Sequence, residues 1–129
     1  MQPTIDLDTA GYGLPASRRF HSSFDYNAVF RARNLLRGHG VQLRWVVNQL
    51  GYSRLGAIIP KRVGNAVRRN SIKRQLREFF RTQIKPDVGY DFVFSFHPTK
   101  NFSGSALREA LYALMAELQE GSGGSLLRA

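Results

Sequence analysis

Hydrophobic positions along this chain follow two spacings, one typical of strands and one typical of helices. From Val41 to Val47, apolar residues occupy every second position, which is the period of a half-buried strand. Over residues 65–83 and again over 105–119, they recur every three or four positions, as on the buried face of a helix. The predicted elements, in chain order, are a helix that begins at Ser22 or Ser23 and ends near Arg33, strands over 41–47 and 54–59, a helix over 65–83, a strand over 90–96 and a helix over 105–119.

The order of these elements predicts an α+β fold, in which a sheet is layered with helices. The pattern leaves room for a further short strand before Val41, and 129 residues is the length of one domain. Residues 1–17 mix Pro, Gly, Thr and Asp without a period, and residues 121–129 begin with Gly-Ser-Gly-Gly-Ser. We therefore expect a mobile N-terminal arm over 1–17, a single domain over 18–120 and a flexible tail over 121–129.

The composition indicates a folded protein with an anionic partner. Hydrophobic residues make up 43% of the chain and aromatic residues 12%, while the formal net charge is +10 and the pI is about 10.9. Arginine supplies 15 of the 19 basic residues, and its planar fork of donors grips phosphate and stacks on bases. Nucleic acid is the favoured partner, with an anionic membrane surface as the second choice.

Several other classes of protein lack support in the sequence. The chain has no cysteine, and no apolar run has the roughly 18 to 20 residues that a membrane span needs. The first residues lack the order of a signal peptide, so we expect a cytoplasmic protein without a membrane partner. The three histidines (His21, His39 and His97) lie far apart without metal-ligand spacing, and no phosphate loop or catalytic triad order is present. We expect neither catalytic side chains nor a metal site.

The strongest chemical signal lies between Lys61 and Arg81. This segment holds eight basic residues and one acidic residue, which leaves a net charge of +7. Helical phasing separates an apolar stripe that includes Ile72 and Leu76 from a basic arc on another side. A merely solvated helix usually pairs its cations with acids at i, i+4, and here only Glu78 is available. A polyanion, whose phosphates neutralise the cations and release counterions, is therefore favoured over a solubility role.

The same segment resembles the signature of the bacterial ribonuclease P protein component. In that signature an apolar residue is followed after two positions by Ala, and after two more by Arg-Asn-Arg. An apolar residue and Lys-Arg come next, and a final Arg follows after two positions. Ser71 stands where the signature has its second arginine. The resemblance extends over about residues 17–119. It rests on Val63, Ala66, Arg69-Asn70-Ser71, Ile72, Lys73-Arg74, Leu76 and Arg77, and also on Phe24 to Phe30, Arg54-Leu55-Gly56, Lys61 to Val67 and Gly89-Tyr90-Asp91.

The resemblance implies a fold like domain 2 of ribosomal protein S5: a mixed sheet packed with helices, with a left-handed βαβ crossover through the basic helix. General rules alone favour a right-handed one. It also implies the protein subunit of ribonuclease P, an endoribonuclease whose RNA subunit is the catalyst. Such a subunit binds the catalytic RNA and the 5′ leader of precursor tRNA, and assists the cut that gives the mature tRNA 5′ end. The holoenzyme is expected to need Mg2+, with no cofactor held by the protein alone and no protein partner required.

Two groups of residues carry these roles by position. The cleft for the leader is formed by Tyr26, Phe30 and Arg44, where Arg44 stands in place of an aromatic residue of relatives. An aromatic pair at i, i+4 on a short helix also packs in cores, so that alternative stays open for Tyr26 and Phe30. The residues expected to bind the catalytic RNA are Lys61, Arg62, Asn65, Arg68, Arg69, Asn70, Lys73, Arg74 and Arg77.

Two rival classes remain on sequence grounds. A non-catalytic RNA-binding module such as a ribosomal protein would share the charge and could share the fold, although the spacing from Ala66 to Arg77 disfavours it. A helix-turn-helix DNA-binding protein needs a second helix one short turn upstream of the basic helix. A strand pattern that ends at Pro60 stands there instead.

Overall fold

The computed structural model describes residues 5–6, 23–85, 87–97, 105–122 and 126–127. These residues contain three α-helices and five strands, together with one turn of 3-10 helix and the connecting loops. All six predicted elements are present within a few residues of their expected bounds, and the short strand before Val41 is present as well. The helices are α1 (Ser23–Ala32), α2 (Ala66–Gln83) and α3 (Ser105–Ser122), and the strands are β1 (Ile5–Asp6), β2 (Leu35–Gly38), β3 (Val41–Val47), β4 (Arg54–Ile58) and β5 (Tyr90–Phe96).

The strands form one mixed sheet in the order β1-β4-β5-β3-β2. The central pair β4 and β5 is parallel and is joined through α2, whereas the other pairs are antiparallel. Strands β2 and β3 meet in a two-residue hairpin at His39 and Gly40, and both have the positive φ angles (56° and 79°) that such hairpins require. The α+β prediction, with a mixed sheet and a crossover through the basic helix, is confirmed.

Alternation along the strands divides the core between the two faces of the sheet. Phe92 and Phe94 of β5 face the larger core, which is closed by the apolar stripes of α2 and α3. Val93 lies on the other face, where α1 covers it with Tyr26 and Val29. Each fully buried large side chain contributes about 1.5 to 3 kcal/mol, so both faces hold the sheet between helical layers. The N-terminal end of α2 and part of Phe30 on α1 remain accessible to solvent.

Residues near both ends of the chain depart from the expected arm and tail. Ile5 and Asp6 pair with Ile58 and Ala57, and so they extend the sheet beyond β4. Leu126 and Leu127 are buried; the side-chain oxygen of Gln119 accepts hydrogen bonds from both backbone N–H groups, at 2.8 and 2.9 Å. At these positions backbone pairing and apolar burial outweigh the local Gly and Ser composition. The rest of both expected segments lies outside the described residues.

A nearly buried ion pair joins three strands at one end of the sheet. Arg54 at the start of β4 donates two hydrogen bonds to Asp91 of β5, at 2.9 and 2.8 Å. The Asn48 amide, just after β3, donates to the same carboxylate at 2.7 Å. A Cβ atom on Gly89 would lie 3.1 Å from the Asn48 side-chain oxygen, so the small residue lets the loops meet. The Arg54 and Gly89-Tyr90-Asp91 motifs therefore have a structural explanation.

Candidate nucleic-acid interface

The basic segment begins with a tight turn that leads into α2. Lys61 to Val63 form one turn of 3-10 helix after Pro60, with Val63 buried while Lys61 and Arg62 are exposed. Asn65 caps α2, because its side-chain oxygen accepts a hydrogen bond of 2.9 Å from the backbone N–H of Arg68. Buried Val63 and the Asn65 cap thus hold the exposed side chains of Lys61 and Arg62 near the positive end of the helix dipole, where an anion is favoured.

Helix α2 is amphipathic as predicted. Ile72, Leu76, Phe79 and Phe80 are buried against the sheet and α3. The opposite side is open to solvent, and its single acid, Glu78, forms an exposed ion pair with Arg81 at 2.7 Å. The exposed positions of the helix are Ala66, Val67, Asn70, Arg74, Glu78 and Arg81.

Eight of the nine residues predicted to bind RNA are at least partly exposed around the start of α2, and we call them the basic surface. Arg69 connects helix α2 to the turn before it, because the Arg69 Nε donates a hydrogen bond of 3.2 Å to the carbonyl of Gly64. That contact directs a half-buried arginine along the turn instead of into solvent. The exposed members of the basic surface are Lys61, Arg62, Asn65, Asn70 and Arg74, and the half-buried members are Arg68, Arg69 and Lys73.

The prediction that Arg77 faces RNA is wrong in this structure. Its exposed fraction is only 3%, although helical phase places it beside the open side of α2. A helical wheel assumes the same surroundings along the whole helix, whereas the C-terminal half of α2 is enclosed more deeply. Phe79 and Phe80 are both buried there, and the chain continues into buried Ile84. Arg77 therefore belongs to the packing of α2.

An apolar residue lies within the basic surface. Val67 is 77% exposed, so among the described residues nothing covers it. Near Val67, position 64 is a glycine because a Cβ atom there would collide with the side chain of Arg68. The sequence signal for Val67 was its position off the apolar stripe. An exposed valine among cations can contact the ribose or base edge of a bound strand.

On the other sheet face, Phe30 of α1 and Arg44 of β3 are brought together as predicted. The guanidinium carbon of Arg44 lies 4.9 Å from the centre of the Phe30 ring, within the range of a cation–π contact. The Arg44 Nε atom is buried and has no hydrogen-bond partner among the described residues. Both side chains are half-buried, so part of each remains accessible, and we call the pair the Phe30–Arg44 platform.

Tyr26, the third predicted member of the leader cleft, is in the core instead. It is only 1% exposed and packs with Val29, Ile58 and Val93. Its hydroxyl accepts a hydrogen bond from the Ala57 N–H at 3.2 Å and donates one to the Ala57 carbonyl at 3.4 Å. The two aromatic residues therefore differ: Tyr26 packs in the core, whereas Phe30 remains partly accessible.

Sequence reasoning missed a polar row next to the Phe30–Arg44 platform. Strand register aligns Arg37 of β2 with Gln42 of β3 and Gln42 with Ser95 of β5. Gln42 is two residues from Arg44, so the row shares the sheet face of the platform. Arg37 is exposed, while Gln42 and Ser95 are half-buried. The alternation of Gln42 and Arg44 was the available signal, but only the register shows that three strands contribute.

Two other kinds of site, a metal centre and a membrane span, find no support among the described residues. Within the described part of the chain, no group of three or more histidine or acidic side chains is arranged to hold a metal ion. None of the helices described is both long and apolar enough to cross a membrane.

Comparison with known proteins decides the family. A sequence model described as Ribonuclease P matches residues 14–119. The chain belongs to the ribonuclease P protein family. It is 31% identical to the ribonuclease P protein component of Petrotoga mobilis over 115 residues, which are 84% of this chain and 98% of that protein. It is also 31% identical to the Azoarcus protein component, over 81% of this chain and 88% of that one.

Solved structures of ribonuclease P proteins share the fold. The Staphylococcus aureus protein superposes with a TM-score of 0.71 at 21% identity, covering 79% of this chain and 95% of that chain. The Thermotoga maritima protein gives 0.64 at 26% identity, over 77% and 96%. Family membership places the chain in tRNA processing, as a protein component of ribonuclease P. The helix-turn-helix alternative is wrong, because β4 and one short 3-10 turn precede α2.

Proposed function

We propose that this protein binds the catalytic RNA of ribonuclease P through the basic surface, and the 5′ leader of precursor tRNA beside Phe30 and Arg44. In this role it assists the endonucleolytic removal of the leader that gives the mature tRNA 5′ end. The observation that carries the proposal is the basic surface, a folded array of cations with almost no acids to balance it.

Charge balance favours a large polyanion on the basic surface. Within the described part of the chain, the single acid of α2, Glu78, forms an ion pair with Arg81 at the far end of the helix. The cations at the start of α2 repel one another, and that repulsion is relieved when phosphates take the place of diffuse counterions. The cap at Asn65 and the contact from Arg69 to Gly64 fix part of this array before binding, which lowers the ordering cost.

The leader cleft is supported by the Phe30–Arg44 platform and its polar row. A single-stranded leader offers unstacked bases, and a guanidinium plane held on an aromatic ring can stack on a base or bind a phosphate. Gln42 and Ser95 supply amide and hydroxyl groups for hydrogen bonds along the same strand path. The cleft therefore lies on the opposite face of the sheet from α2, so one protein can hold two RNA partners.

The chemical step is assigned to the RNA subunit in this proposal. The protein's own groups bind and orient: the basic surface anchors the ribozyme, and the cleft holds the leader next to it. When Mg2+ is bound by the RNA it supplies the charge stabilisation of phosphodiester hydrolysis. No protein side chain is assigned to proton transfer or nucleophilic attack, and no further protein partner is required.

Leader-dependent affinity tests this function. We expect the holoenzyme to bind precursor tRNA more tightly than mature tRNA, because only the precursor reaches the cleft. Substituting both Phe30→Leu and Arg44→Gln should remove about 1 to 3 kcal/mol of that advantage, the range for loss of a base–aromatic stack. Filter-binding titrations of both substrates measure the difference. An equal loss of affinity for mature tRNA would refute leader binding at this platform.

A further inference from the structure

A pocket at the far edge of the sheet is not used by the proposed function. Its volume is about 200 Å³, and it is lined by Leu36, Trp45, Glu117, Leu118 and Gly121. Leu36 and Trp45 come from the neighbouring strands β2 and β3, and the others from the last two turns of α3. Among the described residues, the lining is mainly apolar and Glu117 is its one ionisable group.

The end of α3 places negative charge beside this pocket. Carbonyl groups at a helix C-terminus carry partial negative charge, which basic residues in the last turn normally offset. The last turn of α3 contains no basic residue, and Glu117 and Glu120 instead add two carboxylates near this end. Both glutamates are exposed. In a chain of net charge +10, this local concentration of negative charge favours a cation as the occupant.

The wall of the pocket adds a second preference. Trp45 is half-buried and packs on the main core with Leu36, so the indole is held in place. An indole ring offers a large apolar area on which a ring or a short hydrocarbon arm can pack. A cavity of about 150 Å³ is enough to hold benzene, and this pocket is of comparable size. A ligand with one ring or a short apolar arm would therefore fit beside the carboxylate.

We propose that this pocket is a binding site for a small organic cation, in which an ammonium or guanidinium group lies against Glu117 and the end of α3 while an apolar body packs on Trp45 and Leu118. The site is separate from the RNA-binding surfaces. Helix α2 packs over β4 at the other side of the sheet, whereas α3 packs over β2 and β3. Occupation of the pocket therefore leaves the basic surface free.

The only tryptophan of the chain reports on this site. We would titrate the full-length protein with benzylamine and with benzyl alcohol, which has the same shape without the charge, and follow the fluorescence and the indole N–H resonance of Trp45. Benzylamine should give a saturable change with about tenfold higher affinity than benzyl alcohol, because only its ammonium group can pair with Glu117 and with the partial negative charge at the end of α3.

Matched charge variants locate the interaction. Glu117→Gln should remove most of the preference for benzylamine over benzyl alcohol, whereas Glu120→Gln changes the net charge equally and should retain the preference because Glu120 does not line the pocket. Both residues are exposed, so neither substitution threatens the fold. The proposal is overturned if Trp45 shows no saturable change, if the two ligands bind equally to the unsubstituted protein, or if the two variants lose affinity to the same extent.

Discussion

At the scale of single residues, Tyr26 and Arg77 show where a one-dimensional pattern misleads. Each belongs to a residue type enriched at RNA interfaces, and each lies beside an accessible position, yet both are buried. Tyr26 is fixed by its hydroxyl on the backbone of Ala57, a partner 31 positions away in sequence. Such a partner has no local signal. Phe30, four residues on, points to the same helix face but stays accessible next to Arg44.

Tyr26→Phe tests the structural role of this hydroxyl. Removing it leaves the N–H and carbonyl of Ala57 without this partner, so the free energy of unfolding should fall by about 1 kcal/mol. Urea denaturation measures this change. The control is Tyr112→Phe, since Tyr112 is exposed and should change stability by less than about 0.5 kcal/mol. If Tyr26→Phe instead selectively weakened binding of leader-bearing substrates, Tyr26 would be a cleft residue after all.

Exposed cations of the basic surface should control the salt dependence of RNA binding. Arg62→Ala with Arg74→Ala removes two such cations, and the slope of log affinity against log salt should flatten by about two units. Binding to ribonuclease P RNA is measured over a salt series. Arg31→Ala with Arg108→Ala removes the same charge from exposed positions elsewhere and should leave the slope nearly unchanged. Identical slopes for the two double variants would contradict the assignment of this surface.

At the scale of elements, the long periodic segments were predictable and the packing between them was not. The alternation over 41–47 and the helical stripes of α2 and α3 are local consequences of burying one face, so their existence follows from the sequence. The pairing of Leu126 and Leu127 with Ile84 and Gln119 depends on contacts across the fold, and Gly-Ser composition concealed it. The polar row of Arg37, Gln42 and Ser95 could not be predicted either, because the sequence of a single strand does not give its register with the neighbouring strands.

The ion pair of Arg54 and Asp91 should be the polar contact that contributes most to holding the ends of β3, β4 and β5 together. Their side chains are 20% and 6% exposed, so Asp91→Asn leaves an arginine charge largely desolvated. The expected loss in free energy of unfolding is about 3 kcal/mol. Glu78→Gln breaks the exposed pair with Arg81 and should cost less than about 1 kcal/mol. Equal effects of the two substitutions in urea denaturation would show that the sheet does not depend on this pair.

At the scale of the whole molecule, charge is divided between the two helices on one face of the sheet. The segment from Lys61 to Arg81 carries +7, whereas the exposed end of α3 carries Glu117 and Glu120. An RNA of uniform negative charge is attracted to one side and repelled from the other, which orients the protein as it docks. The proposed leader cleft lies on the opposite sheet face, so a protein with both sites is suited to lie between the ribozyme and its substrate.

Reconstitution with ribonuclease P RNA tests the central claim most directly. Cleavage of precursor tRNA is followed at low Mg2+, where the RNA's own cations screen its phosphates least. Adding the protein should raise the rate of correct 5′ cleavage well above that of the RNA alone, and the advantage should narrow at high Mg2+. The Arg62→Ala and Arg74→Ala double variant should need higher protein concentrations for the same effect. No stimulation by the unsubstituted protein at low Mg2+ would contradict the proposed role.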